Sequence, residues 1–290
     1  MRHEEAAAVA SLLTVSLFGF NKDRKFIVPG TGVRVAPGLA LTAKHVTSYI
    51  FQQLGVQENE PWPRHQRRFD RMEVRAAEQE LGGTADDTTA PWWYVDGSFP
   101  SKLTDITVLL LTGGNDAARK AEQRSRFFRW SFDPPREDQR LWAYGYIEEE
   151  GVREVQHGEV KMNFAITYAA TLAPLRVERV FENGRREGPR DMPALFHDPA
   201  AIDTGGMPCF EVEGNLEPSM SGGPVFNGDH LYGIVSTGMT YQPEEASPLK
   251  PYGTVALLRP LLEMKAFRLD ETSEWIRVTD EIASGRICTV

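Results

Sequence analysis

Cysteine is nearly absent: the 290-residue chain holds two, Cys209 and Cys288. Two thiols make no disulfide framework, and their scarcity is what a reducing compartment predicts. Basic residues are also in deficit, with 32 Lys and Arg against 41 Asp and Glu and a formal net charge of −9. The chain therefore lacks the positive field that broad nucleic-acid binding requires. No apolar run is long enough to span a membrane. The apolar stretch 6–20 comes nearest to a leader peptide, but the preceding "MRHEE" has more acid than base and no small-residue cleavage site precedes "NKDRK". It reads instead as a short helix, "EEAAAVASLL", followed by a first strand, "TVSLFGF". The expected location is cytoplasmic, with no nucleic-acid and no membrane partner.

Metal-ligand spacings are missing as well. There is no His-x-x-x-His and no Cys-x-x-Cys, so neither a metal nor another cofactor is expected. The "GTG" at 30–32 lacks the Lys-Ser/Thr and following helix of a phosphate loop. No repeat of fixed period and no low-complexity tract occurs. Helical pattern is scarce: "NDAARKAEQRSRFFRW" (115–130) is the best candidate, with Asn115 or Asp116 as its cap.

What remains is rich in short apolar strands and turn residues. "TVSLFGF", "KFIVPGTGVRVAPGLALTAKHV", "ITVLLLT", "RLWAYGYI", "LRVERVF", "CFEV", "GPVF", "HLYGIVS" and "GTVALL" are separated by Gly, Pro and Asn, the spacing of a barrel or sandwich. The stretch 56–100 shows no clear period and reads as an insertion. Its arginines (Arg64, Arg67, Arg68, Arg71, Arg75) read as a solvated face, and Trp92 and Trp93 as packing residues.

Three polar residues stand out against this background. His45 follows the strand-like "GLALTA" in a short "KHV" turn. Asp105 lies directly before the apolar run "ITVLLL", where a carboxylate must be solvated or paired. Ser221 sits in "PSMSGGPVF", where two glycines permit a turn that exposes a hydroxyl. Each alone has a structural explanation. As a set they have a chemical one: a serine hydroxyl is a weak nucleophile, a histidine can take its proton, and a carboxylate fixes the histidine tautomer.

Taken together, the three contexts resemble the chymotrypsin-like (trypsin-fold) serine proteases, particularly the disulfide-free bacterial and HtrA-like type. "GTGVRVAPGLALTAKHV" is similar to that family's Gly-Ser/Thr-Gly strand and Leu-Thr-Ala-x-His motif. "TDITVLLL" resembles its aspartate strand, and "EPSMSGGPVFNGDHLYGIVSTG" its serine motif with the strand that follows. "RLWAYGY" resembles the first strand of its second barrel. The likeness covers roughly 10–262, weakest over 56–100 and 113–140. The order His, Asp, Ser is that of chymotrypsin and not of α/β-hydrolases.

The resemblance implies an all-β fold of two six-stranded antiparallel barrels with a few short helices. The first half, 1–112, would carry His45 and Asp105. A helical connection at 113–140 would lead to a second half, 141–267, carrying Ser221, with a tail or short helix at 268–290. It further implies a serine endopeptidase acting on protein or peptide substrates. His45 would be general base, Asp105 its orienter and Ser221 the nucleophile, with the backbone N–H groups of Ser219 and Ser221 as oxyanion hole. Asn215 would lie at the base of the specificity pocket, and Ser236, Thr237 and Gly238 would form the wall that pairs with substrate. With Asn215 in place of an aspartate, an uncharged, medium-sized or polar residue is expected before the scissile bond.

One position departs from the family pattern. Ser219 stands where glycine is usual, and glycine there lets the peptide rotate its N–H toward the oxyanion. Two readings follow: a tolerated substitution, or a hole closed at rest in a protease of low basal activity, switched on by substrate or by an activating protein partner. The alternative from another class is a non-catalytic binding or regulatory module that keeps the barrels.

Overall fold

The run Ile106–Leu111 is apolar at nearly every position, as a strand buried on both faces must be. Its side chains alternate between two cores. Ile106, Val108 and Leu110 pack with residues of the second half of the chain, while Leu109 and Leu111 pack with Val15, Leu17, Ala40 and Trp93. The same division recurs after residue 140: Leu141 and Ala143 enter a third core with Phe210, Val212 and Val255, whereas Tyr144 and Tyr146 join the first. Two barrel interiors and one core between the barrels account for this pattern.

The computed structural model describes residues 3–20, 26–54, 75–77, 91–124, 126–148, 168–182, 207–241, 250–267 and 275–290. Helix α1 (His3–Ser11) leads into β1 (Thr14–Phe20), β2 (Phe26–Ala36) and β3 (Leu39–Ala43). After α2 (Lys44–Leu54) come β4 (Arg75–Ala77), β5 (Trp92–Pro100) and β6 (Ile106–Gly113). These six strands close in the order β1-β2-β3-β6-β5-β4, with β1 pairing to β4. Thus the stretch 56–100, which looked like an insertion, contributes two barrel strands. The strand-like "YVDGSF" that follows Trp93 falls within β5, whereas the three residues of β4 carry too little apolar alternation to be legible. The rest of that stretch, including Arg64, Arg67, Arg68 and Arg71, lies outside the described residues.

Helix α3 (Asp116–Arg124) is capped by Asn115, whose Oδ1 accepts the Ala118 N–H at 2.9 Å. It is shorter than the 115–130 pattern suggested. Phe128 and Trp130 are buried on either side of exposed Arg129, a period of two, and the chain passes into the short strand β7 (Arg129–Trp130).

The second half comprises β8 (Arg140–Glu148), β9 (Tyr168–Phe181), β10 (Cys209–Glu213), β11 (Pro224–Asn227), β12 (His230–Tyr241) and β13 (Lys250–Leu257). They run in the order β11-β8-β9-β10-β13-β12, and β11 also pairs with β12, so this sheet curls back on itself as a second ring of six. Strand β7 adds to β12 in parallel as a seventh. Strands β14 (Lys265–Phe267) and β15 (Trp275–Arg277) pair with each other, and α4 (Val278–Ala283) follows. Cys209 is buried on β10 and Cys288 is exposed, and the two form no disulfide. Among the described residues no helix is long and apolar enough to cross a membrane.

Candidate active site

The sequence places a histidine at the end of β3, and the chain turns there into helix rather than a short turn. Lys44 and His45 open α2, which Thr47 ties to β6 through a 3.1 Å hydroxyl contact with Thr107. That anchorage sets His45 beside Asp105, the residue before β6. The Asp105 carbonyl accepts the Lys44 N–H at 3.2 Å, and its Oδ1 accepts the His45 N–H at 3.2 Å. Its Oδ2 lies 2.9 Å from His45 Nδ1. With Nδ1 donating to the carboxylate, Nε2 is the ring atom left to accept a proton.

Asp105 is 3% exposed, and a carboxylate so buried needs more than one donor. Ser236 supplies another: its Oγ donates to Asp105 Oδ2 at 2.5 Å. Ser236 can reach across because β12 carries a bulge there. The pairing with β13 passes from Val235↔Val255 to Thr237↔Thr254, leaving Ser236 unopposed. An extra residue in one strand re-aims its side chain.

The Ser236 carbonyl in turn accepts the Ser221 hydroxyl at 3.3 Å. Ser221 is buried at the end of a 3₁₀ turn, Pro218–Met220, closed by the Met220 N–H on the Glu217 carbonyl at 2.9 Å. The structure thus gathers His45, Asp105 and Ser221 around Ser236 at the seam of the two barrels. In this state the Ser221 hydroxyl donates to Ser236 and not to His45.

The serine loop is held from the opposite barrel by Thr31. Its N–H donates to the Ser221 carbonyl at 2.9 Å, and its Oγ1 donates to the Ser219 carbonyl at 3.1 Å while accepting the Tyr146 N–H at 3.1 Å. Gly222 explains why no side chain follows Ser221. Its φ is +90°, and a Cβ there would collide with the Thr31 carbonyl and the Thr42 hydroxyl.

Of the expected pocket residues, Thr237 and Gly238 continue β12 beside the site. Asn215 is exposed, and its Nδ2 donates to Glu217 Oε1 at 2.8 Å. The Ser221 amide, one of the two donors an oxyanion would need, follows directly on the 3₁₀ turn Pro218–Met220. Sequence reasoning held Thr31 only as the centre of the family-like "GTG" and missed its grip on the serine loop, as it missed the side-chain role of Ser236. Neither stands out by type, since β2 also carries Arg34 and β12 also carries Thr237 and Thr240.

No protein-family model matches the sequence, and no curated protein matches it. Among solved structures the chain is similar to the Rv3671c protease of M. tuberculosis in its active form, at 12% identity over 88% of this chain and 80% of that one, TM-score 0.47. The inactive form of that protease aligns at 14% identity over 87% of each chain, TM-score 0.44. Neuropsin, a serine protease expressed in the limbic system of mouse brain, aligns at 14% identity over 88% and 92%, TM-score 0.47. At such identities residue roles do not transfer, and the site is read from its own atoms.

Proposed function

We propose that the protein is a serine endopeptidase that forms an acyl-enzyme on Ser221 and rests in a state of low activity. The observation that carries this reading is the buried Asp105 carboxylate, which holds His45 by both backbone N–H and Nδ1 while Ser236 links it to Ser221. A structural ion pair would need no nucleophile at its far end and no free Nε2.

In the reaction the Ser221 hydroxyl turns from the Ser236 carbonyl to His45 Nε2. His45 takes its proton as the oxygen attacks the peptide carbonyl, Asp105 stabilises the imidazolium, and the proton passes to the leaving amine. Water then repeats the steps on the acyl-enzyme. The developing oxyanion needs the amides of Ser219 and Ser221. The 3₁₀ turn Pro218–Met220 holds Ser219 and leads into Ser221, and the non-glycine Ser219 slows the rotation that would bring its N–H toward the oxyanion. Substrate, or a protein partner that remodels this turn, completes the hole.

A fluorophosphonate probe tests the reading directly. Slow labelling is expected, lost in Ser221→Ala and His45→Ala and accelerated in Ser219→Gly, within the roughly 100–1000-fold that one oxyanion donor is worth. An unlabelled protein, with and without peptide substrates or cell lysate, would mean that the barrels serve binding alone.

A further inference from the structure

Strands β12 and β13 place two glycines directly opposite each other, Gly238 and Gly253. Two facing residues without side chains leave a slot beside the Ser236–Gly238 wall. Such a slot beside the wall could take a substrate side chain. The slot is not open. A Cβ built on Gly238 would collide with the Leu216 carbonyl oxygen and lie 2.7 Å from the Leu216 Cβ. One built on Gly253 would collide with Leu216 Cδ1. Leu216 is 4% exposed and packs with Val212, Met220, Val235 and Val255 in the core of the second barrel.

The side chain and the backbone of Leu216 therefore occupy the volume that the two glycines vacate. Its neighbour Asn215, bonded to Glu217, stands outside it in solvent. From this packing we infer that Leu216 fills the slot for the substrate residue before the scissile bond, and that the protein cleaves after glycine and alanine. The inference rests on the peptidase reading and narrows its substrate class from uncharged, medium-sized or polar residues to the smallest ones. Expelling Leu216 to admit a larger group would expose a buried leucine and open a cavity in a close-packed core, both unfavourable.

The test has two arms that fail separately. In the first, a peptide series varied only at the residue before the scissile bond is digested by the wild type and by Leu216→Ala. Wild-type cleavage should be confined to Gly and Ala, and the variant should gain at least ten-fold on Leu, Met and Phe. Wild-type cleavage after Phe, Leu or Arg as fast as after Ala overturns the inference and leaves the peptidase reading standing. In the second arm, indole is titrated by NMR into Ser221→Ala and into Ser221→Ala/Leu216→Ala, with no catalysis involved. Binding to the double variant alone supports the filled slot even where the first arm gives no cleavage, an outcome that leaves the peptidase reading to the fluorophosphonate test. Binding to both proteins, or to neither, overturns the inference. Should Leu216→Ala not fold, Leu216→Val makes a smaller opening in the same place, and the wild-type profile needs no variant at all.

Discussion

Ser236 does two things with two different atoms. Its carbonyl holds the Ser221 hydroxyl and its own hydroxyl holds Asp105, so one residue restrains both the nucleophile and the group that orients the base. A hydrogen bond to a buried carboxylate is worth about 1.5–3 kcal/mol. In Ser236→Ala the carbonyl contact persists while Asp105 loses a donor. Turnover should then fall roughly 10–100-fold with KM changed little, because the loss falls on orientation of His45 and not on substrate binding. Ser236→Thr, which restores a hydroxyl, should recover most of the rate. Steady-state kinetics on a peptide ending in alanine before the scissile bond would separate the two, and a rise in KM with unchanged kcat would assign Ser236 to substrate binding alone.

At the scale of elements, α3 is fastened to the first barrel by Ala118, buried in the barrel core, and by the carboxylate of Glu122. Glu122 Oε1 accepts both the Gly38 N–H and the Trp93 Nε1–H, each at 3.1 Å. Trp93 is fully buried, so Glu122→Ala leaves an indole N–H without an acceptor in the barrel interior. The expected cost is about 2–4 kcal/mol, read as a lower midpoint in urea, with tryptophan emission moving to longer wavelength as water reaches the ring. An unchanged midpoint would mean that α3 lies on the barrel without holding it. This element also marks how far the sequence could be read. Strands with continuous apolar runs, such as Ile106–Leu111, announce themselves because burial on both faces leaves no polar position. His45, Asp105 and Ser221 were legible because each interrupts such a pattern where a polar side chain needs a partner. Strand β4 was not, and the strand-like "YVDGSF" of β5 gave no sign of its place in the barrel, since that pairing comes from the closure of the ring and not from composition. Leu216 was hidden for the opposite reason: a leucine beside a strand looks like core, and only the facing glycines reveal which volume it fills.

For the molecule as a whole, the seam between the barrels matters more than either interior, because the site is assembled across it. Tyr144 lies in that seam, fully buried, edge-on to Tyr146 with ring centroids 6.0 Å apart, and its hydroxyl has no partner among the described residues. Burial pushes its pKa up to about 12, because the phenolate would lose its hydration there. In the unfolded chain the same group titrates near 10. The unfolded state thus releases its proton first as pH rises. The neutral phenol's contribution is intact below about pH 10 and is lost progressively as pH climbs through about 12, a total on the order of 2–3 kcal/mol. Tyr144→Phe removes that dependence. At pH 8 it should be close to neutral in stability, since it deletes a buried hydroxyl that bonds to nothing described. Between pH 10 and 12 it should unfold at a higher urea concentration than the wild type. Because the seam carries the site, the variant should also retain its fluorophosphonate labelling to a higher pH. Equal alkaline slopes for the two proteins would remove Tyr144 from the account and leave the alkaline limit to the exposed tyrosines and lysines.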